Sequence, residues 1–240
     1  MIIAISILFL CGNFAIAQSP GFDKEAEKIL MNYISAIGGE TALSKIENIV
    51  SKSDMSIFEA GVTINREMVQ DKANNLYIKA YTPQTGELFR GFDGGIFWEK
   101  NKSAVREIDA ENRLSYLNEF AFMRFANWKK NLIDFDYLGL DSIDGKVFHG
   151  IEIKTKYGVK ETWYFDTADY LLSYTKEQLE MTRGEVTVET KFDDYRELDG
   201  VKHSYTQSIK MGERNRKITY SSILHNQLID QKIFSKPISY

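Results

Sequence analysis

The chain holds one cysteine in 240 residues, Cys11. It sits inside an apolar N-terminal run, and Leu10 before it is too large for a lipidation signal. Export with cleavage after Ala17 then leaves a chain with no thiol. That excludes disulfides, thiol nucleophiles and thiolate metal sites together. There is no excess of either charge: 34 acidic residues stand against 30 basic ones, a net charge of −4 with both signs interspersed. Without a basic tract or an RNA-binding motif, no nucleic-acid partner is expected. No GxSxG elbow, P-loop, dinucleotide fingerprint or HExxH pair occurs, and no low-complexity linker divides the chain. Beyond the N-terminal run, nothing is long and apolar enough to span a bilayer as a helix.

That N-terminal run, residues 2–16, is almost wholly apolar and leads to Ala15-Ile16-Ala17 before Gln18. A small-x-small triplet after a short apolar stretch reads as a cleavable signal peptide over 1–17, and so as export to the periplasm. No Lys or Arg precedes the run; only the amino terminus supplies positive charge there. The remainder, 18–240, is expected to be one domain, a size that buries about 70% of its unfolded surface without staples.

What is abundant is alternation. From Lys146 to Tyr220, segments of about ten residues alternate apolar and polar, the period of a strand with one wet face. They are punctuated by Asp144-Gly145, Tyr157-Gly158, Asp199-Gly200 and Met211-Gly212. Asp-Gly accepts positive φ at both central positions of a tight hairpin. In the segment 201–211 the odd-numbered residues are expected to face inward. Earlier, 49–58 pairs with 62–71 across Glu59-Ala60-Gly61, and shorter strands follow at 76–82, 87–92 and 96–100. Three helical segments stand outside the pattern. Residues 23–37 place Ala26, Ile29, Leu30, Tyr33 and Ile37 on one stripe, with Asp23 as cap and Gly38-Gly39 as stop. A short second helix is expected over about 40–46. Residues 110–128 lack Gly and Pro and read as one helix. Phe120, Phe122, Met123, Phe125 and Trp128 would wrap nearly round it, so it should be covered on most sides. The fold class expected is α+β: a single large antiparallel sheet curved into a half-barrel, closed by an N-terminal helix and a mid-chain helix.

Chemistry is sparse. His149 and His203 alternate with apolar neighbours, and His225 is the third histidine; core or edge histidines bonded to backbone are expected, with no metal and no cofactor. The acidic residues from Asp134 to Asp144 lack the spacing of a calcium loop. Thirteen Tyr, fifteen Phe and three Trp are more than a plain sandwich core needs, and with Met68, Met123 and Met211 they suit an adaptable apolar pocket.

Several phrases together resemble one family. They are Tyr33-Ile34-Ser35-Ala36-Ile37-Gly38-Gly39-Glu40 with Ala42-Leu43, then Phe92-Asp93-Gly94-Gly95 ahead of Trp98. Later come Trp163-Tyr164-Phe165-Asp166 with Tyr170-Leu171-Leu172, Asp194 to Val201, and an ending with Ile229, Phe234 and Pro237. In order and spacing these resemble the periplasmic carriers of outer-membrane lipoproteins, the LolA-like and LolB-like fold, and especially its divergent relatives. The resemblance implies an antiparallel half-barrel whose apolar cavity holds acyl chains. It also implies an arginine that controls opening, for which Arg66 and Arg90 are the candidates by strand position.

The expected function is non-catalytic binding or carriage of lipid or lipoprotein acyl chains. The expected ligand-binding residues are Trp98, Phe120, Met123, Phe125, Trp163 and Tyr205. Envelope membrane proteins are a second class of partner, and a monomer is expected. A structural or interaction module of the envelope with a filled barrel, or an envelope hydrolase, are the alternatives.

Overall fold

The computed structural model describes residues 23–181 and 184–238. The signal-peptide reading of 1–17, with Cys11, lies outside the described residues. Helix α1 (Lys24–Ala36) begins where Asp23 accepts hydrogen bonds from the Glu25 and Ala26 amides, and buries Ala26, Ile29, Leu30, Tyr33 and Ile34. A short α2 (Gly39–Leu43) follows. Gly38, between them, has φ +129°, and a Cβ there would sit 2.1 Å from the Gly200 carbonyl oxygen. The junction of the two helices therefore rests directly on a hairpin turn, and only glycine allows that approach.

Among the described residues, thirteen strands form one antiparallel sheet. The first six are β1 (Asn48–Ile57), β2 (Val62–Asp71), β3 (Leu76–Thr82), β4 (Gly86–Phe92), β5 (Phe97–Lys100) and β6 (Val105–Glu107). The other seven are β7 (Leu132–Ile143), β8 (Lys146–Thr155), β9 (Lys160–Asp166), β10 (Leu172–Met181), β11 (Gly184–Leu198), β12 (Val201–Met211) and β13 (Arg214–His225). The spatial order is β6-β5-β4-β3-β2-β1-β13-β12-β11-β10-β9-β8-β7. Two meanders thus lie side by side and join along β1 and β13, with β6 and β7 as the outer edges. Asp144-Gly145 and Asp199-Gly200 both take positive φ at both positions, the conformation of the two-residue hairpin turn read from the sequence. The result is an α+β half-barrel.

This order has a topological consequence. The segment between β6 and β7 must travel from one edge of the sheet to the other. It holds α3 (Ala110–Glu119) and a single turn, α4 (Trp128–Asn131). The single helix read over 110–128 therefore ends at Glu119. Residues 120–127 form turns, and Met123 has φ +45°. Phe120, Phe122, Met123 and Phe125 wrap round no helix because they lie on an irregular chain, and Trp128 opens α4. Side-chain amides satisfy its backbone. Gln70 Nε2 donates to the Phe120 carbonyl at 2.7 Å, and Phe122 N donates to Asn74 Oδ1 at 3.0 Å. Asn127 Nδ2 donates to the Phe122 carbonyl at 2.9 Å, and Asn131 Nδ2 to the Arg124 carbonyl at 3.0 Å. A buried loop survives only with that accounting.

Both flanks of the sheet are filled. Helix α1 and the 125–132 region pack on β7–β11 around Phe135, Ile151, Ile153, Trp163, Phe165 and Leu172. Helix α3 packs on the other side, where Tyr116, Leu117 and Phe120 meet Leu76, Ile78, Phe92 and Phe97. The central strands lie between these two cores. Among the described residues, no helix is long and apolar enough to cross a membrane.

Candidate functional site

A cavity of about 460 Å³ lies between the middle of the sheet and the crossing segment. Strands β1, β2 and β9–β13 supply its sheet wall, and residues 115–126 supply the other. On β12, Gln207, Ile209 and Met211 line it, as the odd-number pattern requires.

Of the six residues expected in the pocket, Phe120, Met123 and Phe125 line the cavity. Phe125 is braced edge-on by Trp163 at 5.0 Å and by Phe192 at 5.4 Å between ring centroids. The other three lie elsewhere. Trp98 is buried, donates from Nε1 to the Phe234 carbonyl at 2.7 Å, and lies so close to Gly91 that a Cβ there would be 2.4 Å from its ring. It pins the C-terminal segment to the β4–β5 flank. Trp163 is wholly buried behind Phe125, in the α1 core. Tyr205 does not line the cavity; the exposed Arg196 guanidinium covers its ring at 4.6 Å. Asp193 pairs with Thr206 and Tyr195 with Ser204, and between them Asp194 has φ +55° and pairs with nothing in the register. The pleat is broken there, and Ser204 takes the inward place.

The cavity is far more charged than aromatic content suggests. Glu161 on β9 and Glu177 on β10 are direct cross-strand partners, an arrangement that like charges disfavour. Glu161 is buried and fully engaged. It forms an ion pair with Arg124 and accepts from Trp163 Nε1 at 2.9 Å and from Asn118 Nδ2 at 3.2 Å. Glu177 has no such set. Burial, and then the neighbouring Glu161 charge, push its carboxyl up to about 7. Glu119, at the end of α3, is also pushed up, by burial, against the pull of Arg66, Arg124, Arg90 and Arg216. Among the described residues the Nε atoms of Arg66 and Arg124 are buried without a hydrogen-bond partner. The sequence reading singles out Arg66 and misses the rest. The signal was present: alternation puts Glu161 on the same face as Trp163 and Phe165, and Arg214 and Arg216 on the face of Ile218.

Arg90, the other candidate arginine, is paired with Glu99 at 2.8 Å on the β4–β5 flank and is not among the cavity-lining residues. The histidines also differ from expectation, because they bond side chains and not backbone. His203 Nε2 and His225 Nε2 are 2.9 Å apart, and His225 Nδ1 meets Asp199 at 3.1 Å. Burial, then His225, push His203 down to about 4. His149 meets the Tyr137 hydroxyl at 3.0 Å and stacks on Tyr170. No group of three or more metal-ligating side chains is assembled among the described residues. Glu161 is committed to Arg124, Trp163 and Asn118, while Glu119 and Glu177 line the same cavity.

No protein-family profile matches this chain, and no curated protein matches it in sequence. Solved structures do share its fold. A DUF1329 family protein from Desulfovibrio piger is 12% identical with a TM-score of 0.62, over 87% of this chain and 96% of that one. A LolA superfamily protein from Nitrosomonas europaea is 12% identical with a TM-score of 0.60, over 88% of this chain and 97% of that one. A putative outer membrane lipoprotein-sorting protein domain from Vibrio parahaemolyticus is 13% identical with a TM-score of 0.57, over 86% and 94%. The fold is the LolA-like half-barrel.

Proposed function

We propose that this protein shelters the acyl chains of a lipid or lipoprotein, without catalysis, in the cell envelope. The observation that carries this reading is the unfilled centre of the half-barrel. Both flanks are packed as cores, yet about 460 Å³ between them is left open, within the range of about 300–1,000 Å³ usual for small-molecule sites. A structural module would fill that space with side chains, since interiors are close-packed. Phe120, Met123, Phe125, Met68, Ile209 and Met211 offer an acyl chain an apolar lining. Each methylene removed from water contributes about 0.8 kcal/mol. The likeness in fold to proteins named for lipoprotein sorting supports the same class of cargo. Export by the signal peptide would place the protein in the periplasm as a monomer. Envelope membrane proteins would deliver or receive the cargo.

Native mass spectrometry of the exported protein tests this directly, with co-purified lipid as the expected result. Met123→Gln should weaken retention of that lipid several-fold while leaving the melting temperature within a few degrees. It alters a cavity wall, keeps the side-chain length and leaves the local backbone as it is. A lipid-free protein that also binds no added fatty acyl probe would end the carrier reading.

A further inference from the structure

We propose that the cavity takes an amphiphile whose anionic head, a phosphate or a carboxylate, enters the protein and lies against Arg66, with Arg216 and Arg214 forming its path inward. This rests on the carrier reading and specifies the cargo class. A carrier of neutral acyl chains needs no charge inside its cavity. This cavity has several, and they are unbalanced.

Arg66 has five N–H donors to satisfy. Among the described residues it makes one side-chain hydrogen bond, from Nη2 to Ser53 Oγ at 3.3 Å, and its Nε is buried with none. Neither it nor Arg216 makes an ion pair with a described residue. Arg214, Arg216 and Ile218 alternate along β13, so all three present to the cavity. Arg214 is exposed, Arg216 is half-buried, and Arg66 holds its Nε wholly out of water. Cationic groups graded in this way draw an anion from solvent inward.

The balance of charge points the same way. Arg66, Arg124, Arg214 and Arg216 line the cavity, against Glu119, Glu161 and Glu177. Lys202 and His203 line it too, on the stretch of β12 nearest α1. Glu161 is neutralised by Arg124. Burial drives Glu119 and Glu177 toward their uncharged forms. Even with all three carboxylates charged, the four arginines leave the lining net positive, and an unmatched charge is strongly disfavoured where it is buried. A bound oxyanion supplies the missing counter-ion, and a guanidinium can meet it with two parallel N–H donors. Met68, Ile209, Ile218 and Met211 lie on the same wall for the attached chain.

Titration of the delipidated full chain tests this with four probes at pH 6.5: palmitate, palmitoyl lysophosphatidate, monopalmitoyl glycerol and inorganic phosphate. The two anionic amphiphiles should bind at least about tenfold more tightly than the uncharged one, equivalent to about 1.4 kcal/mol. Arg66→Gln should reduce that preference to less than about threefold, with Arg66→Lys between the two. If Arg66→Gln does not fold, Arg216→Gln should reduce the same preference. Raising the pH to 8 ionises Glu177 and should weaken the anionic amphiphiles selectively. Equal binding of charged and uncharged amphiphiles would overturn the inference and leave the carrier reading standing. Inorganic phosphate binding as tightly as lysophosphatidate would also overturn it, since the chain would then contribute nothing. Binding of no amphiphile at all would defeat both readings.

Discussion

Glu177 is the residue at which sheet register becomes chemistry. Cross-strand pairing sets it opposite Glu161, and only Glu161 has donors gathered round it. One carboxylate of the pair can therefore stay charged while the other holds its proton. The folded value near 7 lies above the ordinary 4.5. The native state thus binds the extra proton between those limits. The stability that Glu177 contributes is fully present below about 4.5 and is lost as pH rises through about 7. His203 acts oppositely. Its folded value near 4 lies below the ordinary 6.5, so its contribution is present above 6.5 and lost as pH falls toward 4. Glu177→Gln should raise the melting temperature at pH 8 more than at pH 5. What remains should include the His203 slope, with stability rising from pH 4 to 6.5, and the opposite contribution of Glu119, whose carboxyl burial also pushes up. A pH series for Glu177→Gln that runs parallel to the wild type would remove Glu177 from this account.

Among the elements, the crossing segment between β6 and β7 decides the site. It carries Phe120, Met123 and Phe125 to the cavity and Arg124 to Glu161. Helix α3 packs on its flank by Tyr116 and Leu117, whereas 120–127 is held by amide side chains from β2, from the turn after it, and from its own end. Those bonds are few, and local opening there should be easier than in the sheet. Gln70→Ala leaves the Phe120 carbonyl without its donor, a loss of about 1–3 kcal/mol where the group stays buried. Amide exchange in 120–127 should then speed up while β11–β13 hold their protection. Bound palmitate should slow exchange in the wild-type segment. Uniform exchange across segment and sheet, indifferent to palmitate, would make the segment an ordinary part of the core.

At the scale of the whole molecule, the sheet is wide enough that α1 and α3 cover its flanks and not its centre. Its edges are guarded in different ways. Strand β6 is only three residues long. Strand β7 is long, with Leu138 and Leu140 exposed, but its pairing shifts register at Gly139, where φ is +96°. Such an irregularity discourages further strands from adding on. The open centre makes stability depend on cargo. A ligand that binds only the folded form stabilises it by about 2.7 kcal/mol at one hundred times its dissociation constant. The melting temperature of the delipidated protein should rise steadily with palmitate over that range, and protein purified with its native cargo should melt higher than after delipidation. A melting temperature that ignores palmitate would mean that the cavity does not receive it.

Most of the strands, their turns and α1 were legible in the amino-acid sequence, because each is specified locally; the three-residue β6 was not. Alternation needs only neighbours, Asp-Gly dictates its own backbone, and Asp23 caps the helix that it precedes. Phe120, Met123 and Phe125 were legible as pocket residues because they are too apolar for an uncovered segment. Tertiary structure alone decided the rest. Residues 120–127 have helical composition, but the path from β6 to β7 and the amides of Gln70 and Asn74 hold them in turns. Trp98, Trp163 and Tyr205 carry the same aromatic signature as Phe125. What separates them is the Phe234 carbonyl, the α1 core and the broken pleat at Asp194, all distant in sequence or set by pairing. The charged interior was hidden for the same reason. Glu161 meets Glu177 through strand register, and Arg124 through a crossing segment. A charge on an alternating strand becomes a cavity charge only when two flanks are filled and the middle is left open.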